Sequence, residues 1–161
     1  MANYTGADVI TTSDVLKYQP DAFDFGISTT ATETANFLAQ TTNDILRNLR
    51  IEWWPVYKQN VFTDITVLNT AEMVNTKVNL DQFERAGVYL FLGRFYLPAL
   101  TKFRPETEKD RFERMAEYYM AQYNMEWRMI LEDGVEYDTD ADGSIVTNER
   151  EPLHGFRRLT R

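Results

Sequence analysis

The chain has 161 residues, 43% hydrophobic, 14% aromatic and 26% charged, the composition of one soluble globular domain with an excess of rings and a sizeable core. Its formal net charge of −8, from 17 basic and 25 acidic side chains, argues against a dedicated nucleic-acid binder, because phosphate neutralisation needs a cationic surface. The absence of cysteine excludes disulfides and thiolate chemistry and fits a reducing compartment. No apolar run approaches the roughly 20 residues that span a bilayer, and Met1 to Asp8 lacks the basic-then-apolar order of a secretory signal.

In chain order, Thr11-Thr12-Ser13-Asp14 offers capping side chains to a short helix that Pro20 stops, and residues 21–26 read as a loop. Thr30 and Glu33 make a capping-box pattern at the head of a helix of about 25 residues. Its buried stripe would be Ala35, Leu38, Ile45, Leu49 and Trp53, and Pro55 should end it at Trp54. Residues 61–68 are rich in β-branched side chains and read as a short strand or extended crossing segment. A brief helix over residues 71–76 follows. Asn79 and Gln82 then open a second long helix that is apolar on several sides (Val88, Tyr89, Leu90, Phe91, Leu92, Phe95, Tyr96), and Pro98 ends or kinks it.

A third long helix begins near Thr107. It buries Phe112, Met115, Tyr119, Met120, Tyr123, Trp127 and Ile130, exposes Glu108 to Arg111 with Glu113 and Arg114, and stops at Gly134. The expected fold is all-α: a small helical bundle over residues 1–133, then an acidic hairpin or loop and an extended carboxyl-terminal arm over residues 134–161. That last stretch is too polar to fold alone.

Within it, Asp138-Thr139-Asp140-Ala141-Asp142-Gly143-Ser144-Ile145-Val146-Thr147-Asn148-Glu149 fits the twelve-residue EF-hand loop position by position. Asp138, Asp140 and Asp142 fall at positions 1, 3 and 5, Gly143 at the sharp turn, Ile145 at the eighth position and Glu149 at the bidentate twelfth. Calcium seeks six to eight hard oxygens on a tightly curled chain. The same residues also suit the tip of a β-hairpin with Ile145-Val146-Thr147 in one strand, since Asp caps its own backbone and Gly takes positive φ. Pro152 and Gly155 follow where an EF-hand needs an exit helix. The hairpin is the preferred reading, with calcium as a possible cofactor and no other cofactor indicated.

No catalytic residue emerges. His154 is the only histidine and has no nucleophile pattern beside it. Phosphate loops, His-Glu metal motifs and nucleophile elbows are absent. Trp53-Trp54 and the tyrosines suit core and subunit contacts. The terminal Phe156-Arg157-Arg158-Leu159-Thr160-Arg161 has the make-up of a linear docking element, its apolar anchors filling pockets while guanidinium forks pair with carboxylates.

Taken together, the opening short helix before a proline, the long helix reaching Trp53-Trp54-Pro55, the aromatic final helix and the run from Gly134 through Asp142-Gly143-Ser144-Ile145 to Arg157-Arg158-Leu159-Thr160-Arg161 resemble the head-to-tail connector (adaptor, or head-completion) proteins of tailed bacteriophages. The resemblance implies a virion neck protein made in the host cytoplasm, forming a ring of about twelve copies between portal and tail. Its partners would be the portal protein, neighbouring copies of itself, and tail or stopper proteins, with no membrane. Phe156, Arg157, Arg158, Leu159 and Arg161 would anchor on the portal, and the loop from Asp138 to Glu149 would be the hairpin. An acidic lumen would let DNA pass without specific binding. A stopper or tail-completion protein shares this logic. The alternative is a calcium-responsive interaction module that uses the loop at 138–149 as its switch.

Overall fold

A computed structural model describes residues 8–24, 31–100, 111–144 and 149–151. Over these the fold is all-α, with one pairing of two-residue strands. Helix α1 (Thr12–Tyr18) starts at the expected cap: the carboxylate of Asp14 accepts from the Thr11 amide at 2.8 Å and from its hydroxyl at 2.7 Å. A 3₁₀ turn, Ala22–Asp24, lies in the expected loop.

The next helix does not stop at Trp54. Helix α2 (Ala31–Asn48) passes through a π-helical segment, Leu49–Trp53, into α3 (Trp54–Val61). The same arrangement recurs where α5 (Glu84–Leu90) passes through Phe91–Tyr96 into α6 (Leu97–Leu100). In both, the π segment ends two residues before a proline, Pro55 or Pro98. A proline inside an α-helix lacks its donor, and its ring strikes the carbonyl four residues back. Widening the preceding turn removes that conflict: the Trp54 amide donates to the Leu49 carbonyl and the Leu97 amide to that of Leu92, each a five-residue step. Pro55 then sits in the first turn of α3, where no amide donor is required.

Between these helices the expected strand is a helix. α4 (Ile65–Thr70) is begun by Asp64, whose carboxylate accepts from the Thr66 amide at 2.8 Å, and this cap outweighs the β-branched composition. A 3₁₀ turn at Asn75–Lys77 stands in place of the brief helix over 71–76, and another, Leu80–Phe83, precedes α5. Helix α7 (Arg111–Asp133) ends as expected at Gly134, which takes φ 103°. The capping pattern at Thr30 and the start of the last helix near Thr107 lie outside the described residues.

The chain divides into two compact units. Among the described residues one unit holds 8–24, 31–45, 83–100 and 111–127. Its centre is the apolar helix of α5 and the π segment: Val88, Leu90, Phe91, Leu92 and Tyr96 are at most 1% exposed. Ring pairs pack within the unit, Phe37 stacked on Phe95, Phe91 on Tyr96, and Tyr123 on Trp127. Phe112, Met115 and Met120 are half-buried, while Ala35, expected in the stripe of α2, is exposed. Thr34, Thr41 and Thr42 are buried on that helix beside Leu38 and Ile45 of the expected stripe, and Thr41 donates its hydroxyl to the Phe37 carbonyl at 2.8 Å.

The other unit holds 46–82, 128–144 and 149–151. Leu49, Trp53, Tyr57, Val78, Leu80, Ile130 and Val135 form its core. Strands β1 (Val135–Glu136) and β2 (Arg150–Glu151) pair antiparallel, Val135 with Glu151 and Glu136 with Arg150, and Val78 bridges Tyr137 beside them. The acidic segment after residue 133 is thus built into the same unit as residues 46–82.

Candidate functional site

The site is the loop that leaves β1 and returns at Glu149. Its root is aromatic. Tyr137, 4% exposed, lies against Trp53, Trp54 and Tyr57 with ring centroids 5.7, 5.5 and 5.2 Å away. Burial raises the Tyr137 phenol above its ordinary range, partly offset by the Val74 amide, which donates to its oxygen at 3.2 Å. Rings of this size bury most of the area that holds so small a strand pair in place.

Polar contacts fix the backbone above that root. The Gln82 side chain donates to the Gly134 carbonyl at 2.7 Å and accepts from the Glu136 amide at 3.0 Å. Asn79 donates to Glu136 Oε2 at 2.6 Å, and Arg150 Nη2 pairs with Glu136 Oε1. The Asp138 amide donates to the Lys77 carbonyl at 2.8 Å, Lys77 Nζ donates to the Thr139 carbonyl at 2.6 Å, and the Tyr57 hydroxyl meets Thr139 Oγ1 at 2.7 Å. The sequence pattern did not point to Gln82, Lys77 and Tyr57 as supports of the loop, since they stand far from it along the chain.

The loop then curls on its own carboxylates. Asp138 is 4% exposed and accepts from the Asp142 amide at 3.2 Å and from the Gly143 amide at 2.9 Å. Glu149, 5% exposed, accepts from the Thr139 amide at 2.8 Å. Two residues take left-handed backbone, Ala141 at φ 63° and Gly143 at φ 82°. As a result carboxylate oxygens of Asp138, Asp140 and Glu149 lie within 4.8 Å of one another.

Of the four expected ligands, the fold therefore brings together three. Asp142 is not in that group. Its Oδ1 accepts instead from the Ser144 hydroxyl and amide, each at 2.8 Å, and these bonds hold its carboxyl below the usual aspartate value. Strand β2 stands where an EF-hand has its exit helix. Hard oxygens at loop positions 1, 3 and 12 are the donor set a divalent cation prefers.

Comparison with known protein families, characterised proteins and solved structures finds no match to this chain. The expected portal anchor (Phe156, Arg157, Arg158, Leu159, Arg161), His154 and the strand over Ile145-Val146-Thr147 lie outside the described residues. Among the described residues, no helix is long and apolar enough to cross a membrane.

Proposed function

We propose that this chain is a structural protein of a tailed-phage neck: a head-to-tail connector (adaptor) acting without catalysis, in a ring of about twelve copies between portal and tail. One observation supports this most. The pairing of Val135 with Glu151 and of Glu136 with Arg150, braced by Gln82, Asn79 and the aromatic root, gives the residues after Glu151 a fixed starting point. A short segment of two apolar anchors and three arginines set on such a base suits docking on an acidic partner. Many such arms in one ring act at high effective concentration, so each can bind weakly. A chain of net charge −8 would give the ring a lumen that repels DNA phosphates, letting DNA pass without being gripped.

The test is deletion of Gly155 to Arg161, with binding to isolated portal rings measured by co-sedimentation and folding followed by circular dichroism. The connector reading expects an unchanged spectrum and loss of binding. Undiminished binding overturns it. Changing Arg157 and Arg158 together to Glu should weaken docking and leave the remainder less dependent on salt.

The convergence of Asp138, Asp140 and Glu149 favours a second reading, in which the loop takes calcium and acts as a switch for partner binding. Calorimetric titration with calcium, on the native chain and on a variant with Asp138→Ala and Glu149→Ala, separates the two. Saturable heat lost in the variant supports the switch, whereas no heat in either chain leaves the loop as a hairpin tip. A stopper or tail-completion role would show as assembly on an adaptor ring with no affinity for the portal itself.

A further inference from the structure

The amino-terminal half of α7 carries a face that the acidic loop does not use. Arg111, Arg114, Met115, Tyr118 and Tyr119 line a cavity of about 510 Å³. Positions 111, 114, 115 and 118 repeat at three- and four-residue steps, so they share one side of the helix. Among the described residues this lining holds two arginines and no carboxylate, although Glu113 and Glu117 lie on the same helix. Neither guanidinium has an ion-pair or hydrogen-bond partner among the described residues.

The rings beside them are held in place before anything binds. Tyr119, 8% exposed, donates its hydroxyl to Gln19 Oε1 at 2.7 Å. Its ring centroid lies 6.0 Å from that of Tyr89, which stands 6.0 Å from that of Tyr18. Tyr118, 58% exposed, meets Tyr119 edge-on at 5.4 Å. The rings form a ladder from α7 across α5 to α1 within one unit. Its outer end is a tyrosine that the fold supports and leaves largely uncovered, and ordered tyrosines beside arginines are the side chains that dominate contact energies.

We infer that this face docks an acidic peptide segment of another protein, with carboxylates on Arg111 and Arg114 and an apolar side chain in the cavity against Met115 and the two tyrosines. Charge selects the sign of the partner. On a chain of net charge −8, two unpaired guanidiniums at one cavity concentrate positive potential, and their forks match carboxylates. The surroundings select a peptide over a free anion. Both arginines are exposed, where an ion pair alone contributes little. Apolar cover that excludes water is what makes such a pair hold. A cavity of this size takes side chains, and the tyrosine ladder carries the face beyond it. The contact is distinct from the carboxyl-terminal arm and stands whether or not the chain is a connector.

The test is fluorescence anisotropy of a labelled, end-blocked peptide alternating glutamate with leucine, titrated with the full-length chain. A second peptide has lysine in place of glutamate. The native chain should bind the glutamate peptide, and added salt should weaken that binding. Arg111→Glu with Arg114→Glu should weaken it at least about tenfold and gain the lysine peptide. Tyr118→Ala should weaken it about tenfold as well. All three side chains are exposed, so circular dichroism should show each variant folded as the native chain is. In a methyl spectrum the Met115 resonance should move when the glutamate peptide binds. A native chain that ignores the glutamate peptide overturns the inference, as does a charge-reversed chain that binds it equally well or a Met115 signal that stays still. Binding of single-stranded DNA in the peptide's stead would assign the face to nucleic acid and overturn it too.

Discussion

The amide of Gly143 donates to the carboxylate of Asp138 at 2.9 Å, closing a turn in which Ala141 and Gly143 both take positive φ, 63° and 82°. Left-handed backbone costs an L-residue with a Cβ roughly 1–2 kcal/mol, and glycine almost nothing. The two positions should therefore respond with opposite signs. Ala141→Gly should leave stability unchanged or raise it, since the relieved strain offsets the greater freedom of the unfolded chain. An added Cβ at Gly143 meets nothing within 4 Å, so Gly143→Ala tests backbone strain alone and should destabilise by about 1 kcal/mol. Urea unfolding of both variants measures this, and equal effects of the same sign would refute the turn.

The loop is also tied to α3 by the bond between the Tyr57 hydroxyl and Thr139 Oγ1 at 2.7 Å. The Tyr57 ring is 2% exposed and lies 4.6 Å from Trp53 and 5.2 Å from Trp54 between centroids, so Tyr57→Phe keeps the packing and removes only the hydroxyl. A double-mutant cycle with Thr139→Val should give a coupling of about 1 kcal/mol. Additive effects of the two changes would mean the bond contributes nothing in solution.

Much of this architecture is legible in the sequence, and the parts that are not have physical reasons. The cap at Thr11 and Asp14, the stop at Gly134 and the alternating carboxylates of the loop are local patterns, and local chemistry decides them. The run past Pro55 and Pro98 is different: a proline ends an α-helix by rule, but a π turn placed just before it lets packed rings on either side stay in one continuous helix. α4 was hidden because its valine and isoleucine favour strands while the deciding contact is a single aspartate cap. At the candidate site the pattern named four carboxylates and the fold gathers three, because Ser144 holds Asp142. Its anchors Lys77 and Tyr57 lie 62 and 82 residues from Thr139 along the chain, a separation over which no periodicity carries information.

The first helix should make the protein sensitive to acid. Burial acts to raise the Asp14 carboxyl, but hydrogen bonds from Lys17 and Thr11 outweigh it and hold the group below its ordinary value of 3.8. A folded-state value lower than the unfolded one gives stability that is fully present above the unfolded value. That stability is lost as pH falls through the folded value. The unfolding midpoint in urea should therefore drop below about pH 4, and Asp14→Asn should lower stability at neutral pH while making that acid limb shallower. An acid limb equally steep in the variant would place the titrating group elsewhere. Asp142 has the same sign, held down by Ser144 at a fully exposed carboxylate, so its change should add little to global stability.

Two buried glycines distinguish a rigid contact from a yielding one. A Cβ at Gly93 would stand 2.9 Å from Met120 Cγ and 2.9 Å from the Met120 backbone nitrogen, while one at Gly87 would meet side-chain γ-methyls, Ile10 Cγ2 at 2.8 Å and Val9 Cγ1 at 3.0 Å. Overpacking of a core costs about 1–3 kcal/mol, and alanine recovers up to about 1 kcal/mol of helix propensity over glycine. Val9 and Ile10 are stiff at χ1 but stand on the irregular segment before α1, which can give by a few tenths of an ångström, whereas the backbone of α7 cannot move without disturbing its own hydrogen bonds. Gly93→Ala should therefore fall near the top of that range and Gly87→Ala near the bottom, measured as the shift in thermal or urea midpoint. Adding Met120→Ala to Gly93→Ala removes the Cγ contact and leaves the one to backbone, so it should fail to restore stability. Full rescue by the double change would show that the methionine side chain, and not the approach of the two helices, sets the limit at Gly93.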